Sequence, residues 1–260
     1  MGVSLFLWPF DAINGPDKFI YLTSNLSVVG FLKRTICISL GGSMMFKGSD
    51  INIDYLKRFS EVISRFAKTN KFIIVIGGGH VSRMYIEAAK AFTKNNFLLD
   101  EMGMSVTKLN ALFLINMFPK TLNVAQNVPV TLEELKTSLQ AYDIVVMGGL
   151  MVGMTTDADA ALACDAAGAD TMINISNIDY IYDRPPEEKG ARKLTRMTHE
   201  ELIELATKYD TREARTHFVF DLVACKLAKR AKIELHFLGN DTGEFEKALA
   251  GKAHMGTVVK

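Results

Sequence analysis

Three short apolar runs, TICISL (35–40), FIIVI (72–76) and DIVVM (143–147), each end directly in glycine and lead towards a segment of helical spacing. This order restricts the fold more than any other feature of the chain. β-Branched residues are stiff at χ1 and suit a pleated, buried surface. A run that is apolar on both faces has no solvated side, so it belongs in a parallel sheet covered above and below. The helical segments supply the cover. In DYLKRFSEVISRFAKT, the residues Tyr55, Leu56, Phe59, Val62, Ile63 and Phe66 recur at the 3.6-residue period.

The scheme continues through VSRMYIEAAKAF, a stretch from 98 to about 118, the run LNVA (122–125) and a helix from about 131. It resumes with the strand TMINI (171–175), the polar turn SNIDYIYDRPPEEKG and the helix MTHEELIELATKY, whose start carries the capping box Thr198-x-x-Glu201. A helix from about 217 to 230, the strand IELHFL, the helix GEFEKALAG and the closing strand TVV complete it. The pattern predicts an α/β fold: a mostly parallel central sheet sandwiched by helices in three layers.

At 260 residues the chain has enough length for a sizeable core. We divide it into an N-terminal arm (1–34) and one domain (35–260), the latter with halves at about 35–170 and 171–260. The arm holds the only tryptophan, and its apolar run is broken by Pro9, Asp11 and Asn14, too soon for a membrane span. It also lacks the basic start of a signal peptide. Its expected place is against the domain or a neighbouring subunit. The net charge of +1 gives no global field to attract nucleic acid or an anionic membrane, so anions must be held by local groups. Cys37, Cys164 and Cys225 sit in apolar or small-residue segments, which predicts buried, reduced thiols and a cytoplasmic protein.

The glycine loops are Gly41-Gly42-Ser43, Gly77-Gly78-Gly79 and the run GGLMVG at 148–153. In an open parallel sheet such loops lie at the carboxyl ends of the strands, where ligands bind. Glycine allows backbone N–H groups to close on an anion, and a following helix adds its positive end. Three such loops on one rim point to a ligand with several phosphates. A G-x-x-x-x-G-K-[ST] loop is absent, since GSMMFKGS has lysine and glycine in the wrong order, and so is G-x-G-x-x-G. Arg83, four residues past its glycine loop, is placed to reach a phosphate, the other reading being a solvated surface arginine. Asp157 and Asp221 suit either helix caps or the neighbourhood of a metal-bound polyphosphate. His80 and His254 read as structural. No Cys/His set has zinc spacing, and no Ser/His/Asp set announces a hydrolase.

The order GGS…GGGxxxRxYI…DExGxxxTxLNAxxLI…GGxxxGxTTDAxAAL…NxDxxYxxxP resembles the amino acid kinase superfamily, and within it the archaeal-type uridylate (UMP) kinases. The resemblance runs from about Ile36 to Val259, and LDEMGMSVTKLNALFLI and GMTTDADAAL are its most specific parts. It implies phosphoryl transfer from Mg2+·ATP to UMP in pyrimidine nucleotide biosynthesis, by a homo-oligomer, usually a hexamer, with no nucleic-acid or membrane partner. Gly42 and Ser43 would hold the transferring phosphate of ATP. Gly78 would face UMP, while Gly79 and Arg83 would hold phosphates between the two nucleotides. Asp100 would accept from the ribose hydroxyls of UMP. Leu150, Met151, Val152, Gly153, Met154, Thr155 and Thr156 would wrap the UMP. Ser176, Asp179 and Tyr182 match donor-side positions that contact ATP, and Asp157 and Asp221 match acidic positions near the reacting phosphates. The small residues after Asp157 read as helix packing.

The chain departs from the family pattern at four places. Ser39 stands where many members carry a lysine two residues before the first glycines, with Lys47 as a substitute or a surface lysine. Tyr180 replaces a glycine and Pro185 an aspartate of the donor turn, with Asp183 two residues earlier. Val152-Gly153-Met154 replaces Pro-Gly-His. The departures leave open a non-catalytic nucleotide-binding or molybdenum-storage-like relative, and a kinase of another small phosphate or carboxylate acceptor.

Overall fold

The structure, a computed structural model, describes residues 22–23, 26–27, 33–209 and 220–260. The chain divides into two units, Met1–Lys33 and Arg34–Lys260. In the first, strand β1 (Leu22–Thr23) pairs antiparallel with β2 (Leu26–Ser27).

The second unit begins with strand β3 (Arg34–Leu40), a four-residue helix α1 (Gly42–Met45) and the small hairpin of β4 (Phe46–Lys47) and β5 (Asp50–Ile51). Helix α2 (Ile53–Phe66), strand β6 (Asn70–Ile76), helix α3 (Gly79–Ala89) and the long helix α4 (Asn96–Met117) follow. Helix α5 (Leu132–Ala141), strand β7 (Ile144–Met147), helix α6 (Thr156–Ala166) and strand β8 (Thr171–Ile175) come next. The polar turn folds as a hairpin of β9 (Ile181–Tyr182) and β10 (Lys193–Leu194), followed by β11 (Arg196–Met197) and helix α7 (His199–Tyr209). Helix α8 (Leu222–Ala231), strand β12 (Glu234–Leu238), helix α9 (Thr242–Leu249) and strand β13 (Thr257–Val259) close the fold.

The main sheet has the order β11-β13-β12-β8-β3-β6-β7, and only the β12–β13 pairing is antiparallel. β3 is the switch point, because the chain proceeds to β6 and β7 on one side of it and to β8 and β12 on the other. Successive strand side chains face opposite layers. Ile36, Ile38 and Leu40 point to the core beneath α2, α4 and α9, while Cys37 joins the core beneath α5, α6 and α8. The three-layer α/β architecture read from the apolar runs is therefore the observed one.

Local signals account for most helix starts. Asn52, Asn95, Thr131, Thr155, Asp221 and Asp241 each accept a backbone N–H of the first turn of their helix. The capping box closes in both directions, Thr198 N to Glu201 Oε2 at 2.8 Å and Glu201 N to Thr198 Oγ1 at 3.2 Å. Three readings need correction. LNVA forms a single bridge, Val124 to Ile144, because its chain only touches the end of β7 before turning away. α3 stops at Ala89, short of Phe92, which is 92% exposed and has no core to join. α8 begins at Leu222 behind its Asp221 cap, and the earlier part of the proposed 217–230 helix extends into residues outside those described.

Candidate active site

Four neighbouring parallel strands, β8, β3, β6 and β7, end side by side, and their following loops form one continuous rim. In that order the loops start at Ser176, Gly41, Gly77 and Gly148. Backbone hydrogen bonds stitch them together: Gly41 N to Ile175 O at 2.8 Å, Gly77 N to Leu40 O at 2.9 Å, and Ser176 N to Leu238 O at 3.0 Å.

The first two glycine loops touch backbone to backbone. A Cβ added to Gly42 would lie 2.1 Å from Gly79 N, and one added to Gly79, whose φ is +66°, would lie 2.4 Å from Gly42 O. Only glycine fits at both places. Gly42, Ser43 and Gly79 are thus brought together, with peptide groups from two strand ends at one point of the rim.

Beside them lies a cavity of about 250 Å³, lined by Ser82 and Ile86 of α3, Asp100, Gly103, Met104 and Thr107 of α4, and the segment 149–156 apart from Leu150. Seven of the nine residues expected around UMP, Asp100, Met151, Val152, Gly153, Met154, Thr155 and Thr156, therefore line one cavity. Leu150 and Gly78 do not line it. Leu150 turns its N–H to Asp159 Oδ2 at 2.9 Å, and Gly78 packs against Ser82, whose Cβ would lie 2.4 Å from an added Gly78 Cβ.

α4 fastens the rim from below with one helical stripe. Thr107 Oγ1 accepts from Gly149 N at 2.8 Å, and Asn110 Nδ2 donates to Gly77 O at 2.8 Å. With Asp100 these residues recur at helical spacing, so one face of α4 addresses the cavity, the third loop and the second loop in turn. Thr107 and Asn110 belong to LDEMGMSVTKLNALFLI, where the family resemblance implied no role for either. Their spacing from Asp100 was the available signal.

Asp157 does not cap α6. Thr155 does, its Oγ1 accepting Ala158 N at 3.2 Å. Asp157 Oδ1 instead accepts Ser39 Oγ at 2.6 Å and Asn174 Nδ2 at 2.8 Å, joining α6 to the ends of β3 and β8. Ser39 thus places a hydroxyl beside a carboxylate. Asp221 caps α8 through Ala224 N at 2.9 Å. Burial, reinforced by the Asp221 and Asp157 carboxylates, pushes the Cys225 thiol well up. Arg83 is exposed on α3, one residue beyond Ser82, and does not line the acceptor cavity. Lys47 is exposed on the β4–β5 hairpin.

On the donor side, Tyr182 Oη donates to Asp179 Oδ1 at 2.8 Å, and Lys193 Nζ lies 2.6 Å from Asp179 Oδ2 and 4.4 Å from the Tyr180 ring centroid. Burial works against the Asp179 carboxylate, but the Lys193 and Tyr182 hydrogen bonds outweigh it and hold its pKa below the usual range. Ser176 Oγ closes a local turn with the N–H and C=O of Ile178. Asp183 is bound to Arg184 and to the backbone N–H of Arg192. A larger cavity of about 830 Å³ lies elsewhere, where Arg34, Thr171 and Glu234 start β3, β8 and β12. It is at the amino ends of these strands and shares no residue with the rim loops.

One residue of α6 escaped the sequence reading. Asp159, among the small residues assigned to packing, is fully buried and holds Leu150 N, and burial pushes its pKa up to about 6. Nothing local marks it, because its partner lies in the preceding loop.

The Amino acid kinase family model matches residues 34–239. A uridylate kinase of Archaeoglobus fulgidus is 34% identical over 86% of this chain and 99% of its own length. One from Thermoplasma acidophilum is 33% identical over 88% and 97%. The crystal structure of the A. fulgidus uridylate kinase superposes with a TM-score of 0.77 at 33% identity, covering 86% of this chain and 99% of that one. A UMP kinase structure from Bacillus anthracis, at 18% identity and a TM-score of 0.73, shares the fold. The chain belongs to the amino acid kinase family, in the branch of archaeal-type uridylate kinases.

Proposed function

We propose that this member of the amino acid kinase family is a UMP kinase, moving the γ-phosphoryl group of ATP to UMP to give UDP and ADP. The observation that carries this reading is the rim itself. An acceptor-sized cavity opens beside the Gly42–Gly79 contact, with Asp100 and the 151–156 segment on its walls. Its kinship with proteins named uridylate kinases supports the same reading.

Phosphoryl transfer asks the protein chiefly to align two anions and neutralise charge. A UMP phosphate oxygen forms the new bond to the γ-phosphorus as the bond to the β,γ-bridging oxygen breaks and ADP leaves. Gly42, Ser43 and Gly79 present peptide N–H groups to the phosphates, and Arg83 swings in from α3 to share the charge. Asp100 accepts from the ribose hydroxyls, and the segment 151–156 encloses UMP, with Gly78 and Leu150 behind the cavity wall. Ser176, Asp179 and Tyr182 face the donor nucleotide. Among the described residues no group of three or more His, Cys, Asp or Glu forms a metal cage. Mg2+ is commonly held by substrate phosphates with one or two carboxylates. Asp157 and Asp221 would hold it directly or through water, and the ion would supply charge neutralisation at the phosphates.

The same reading carries a cytoplasmic homo-oligomer, a hexamer by expectation. Met102, Leu109 and Leu112 form an exposed apolar stripe on α4, and Met84 and Tyr85 are exposed on the adjoining α3. No helix among the described residues is long and apolar enough to cross a membrane.

A coupled assay with ATP, Mg2+ and UMP, CMP or dTMP tests the proposal. Turnover of UMP, lost in Asp221→Asn, is the expected result. Asn preserves the α8 cap, so the loss reports charge and not folding. UMP binding by calorimetry without turnover would sink it.

A further inference from the structure

Beyond these roles, and resting on the UMP kinase reading, we propose that Asp159 is a positioning residue for the acceptor: it sets the shape of the UMP loop through the Leu150 amide. The case begins with what the residue costs. Asp159 is 0% exposed and sits among Ala158, Ala160, Ala161 and Ala163, all fully buried. A carboxylate in such a place is expensive unless its oxygens are satisfied. Only one is. Oδ2 accepts Leu150 N at 2.9 Å, while Oδ1 has no partner. For a helix that packs through alanines, a further alanine would be the cheaper residue. The carboxylate's one hydrogen bond reaches out of the helix, back to the loop that lines the acceptor cavity.

That bond acts together with a second one. Gly149 N is held by Thr107 Oγ1 of α4 at 2.8 Å, and Leu150 N by Asp159 of α6. Two consecutive amides at the start of the loop are therefore fastened to two different helices. The next residues, Met151 to Thr156 in sequence, line the cavity. Their course is set where the loop leaves these two anchors. Asp159 does not line the cavity itself, so its influence on UMP passes through the backbone.

Asp159→Ala removes the acceptor, whereas Asp159→Asn keeps a side-chain oxygen of the same reach and removes the charge. In the ATP–UMP assay, Asp159→Ala should raise KM for UMP about tenfold or more while kcat changes less than about threefold, the scale of one lost buried hydrogen bond. Asp159→Asn should recover KM to within about threefold of the parent protein. Thr107→Val should mimic Asp159→Ala, and the double variant should cost less than the product of the two. Hydrogen exchange of the 148–155 segment gives a readout free of any assumption about substrate. Its protection should fall about tenfold or more in Asp159→Ala and persist in Asp159→Asn. An unchanged KM with unchanged exchange in Asp159→Ala, or equal damage from Asn and Ala, overturns the proposal. If Asp159→Ala does not fold, Asp159→Asn decides alone: a tenfold KM increase overturns it. Failure of the parent protein to phosphorylate UMP counts against the UMP reading, and the exchange experiment then still judges Asp159.

Discussion

The contact between the first two glycine loops makes a sharp quantitative test. In Gly42→Ala, the new methyl carbon would stand 2.1 Å from Gly79 N, 2.6 Å from Gly79 Cα and 2.8 Å from Gly77 C. All three are backbone atoms, so no side chain can swing aside. Restoring an ordinary separation of about 3.5 Å requires the loops to part by roughly 1.4 Å. Yet Gly77 is tied to Leu40 O and to Asn110, so the movement cannot be confined to one residue. Overpacking of this kind costs about 1–3 kcal/mol of stability. For a domain of this size that is a fall in Tm of roughly 2–12 °C. Activity should suffer more, because a displacement of about 1 Å at the phosphate-binding point costs on the order of 10²-fold in rate. Gly149→Ala is a comparison for stability alone, since Gly149 lines the acceptor cavity. Its Cβ would meet Met104 Cγ at 3.3 Å and Asp159 Oδ2 at 3.4 Å, a crowding that small shifts relieve. Thermal melts on both variants and steady-state kinetics on Gly42→Ala settle the matter. A Gly42→Ala protein with kcat within about threefold of the parent would refute the claim that this contact aligns the phosphates.

Arg83→Ala should lower kcat/KM about 10²–10³-fold, the scale of losing one charge donor to a transition state, with little change in melting temperature because the side chain is exposed. A near-normal rate would reduce Arg83 to a surface residue. His199 supplies a pH test of stability. It is buried, its Nδ1 lacks a partner, and burial holds its pKa below the ordinary histidine value. In the window between the depressed folded value and the ordinary one near 6.5, the unfolded chain binds more protons than the native one. Stability should therefore fall as pH drops through that window, and the fall should be shallower in His199→Gln. Melting curves of the two proteins at pH 5 to 8 check this, and parallel curves would rule it out.

The fold was legible because its information is local. Each strand–glycine–helix passage carries its own period, breaker and cap, and the caps at Thr131, Asp221 and Thr198 lie within three residues of the amides they hold. The candidate cavity was legible in part for the same reason: Asp100 and the 151–156 segment that line it stand in two compact runs. What stayed hidden depends on partners distant in the chain. Ser39 and Asp157 meet across 118 positions, and Thr107 meets Gly149 across 42. No periodicity records such a meeting. Asp157 was therefore left between a cap and a phosphate-side carboxylate, and Asp159 read as packing, though its partner is only nine residues away. The donor hairpin was hidden for another reason. β9 and β10 contribute two residues each, too few for any alternation to register.

The single stripe of α4 that touches the cavity, the Gly149 amide and the Gly77 carbonyl has an evolutionary consequence. An α-helix turns about 100° per residue. One residue inserted or deleted between Asp100 and Asn110 would rotate Asn110 away from its loop while leaving Asp100 in place. Substitutions can be absorbed one at a time along such a stretch, but changes of length cannot, since they disconnect several loops at once. Natural gaps, and the survivors of a single-codon insertion library, should therefore collect at the two ends of α4. The intervening residues act as a ruler whose graduations can be repainted but not moved.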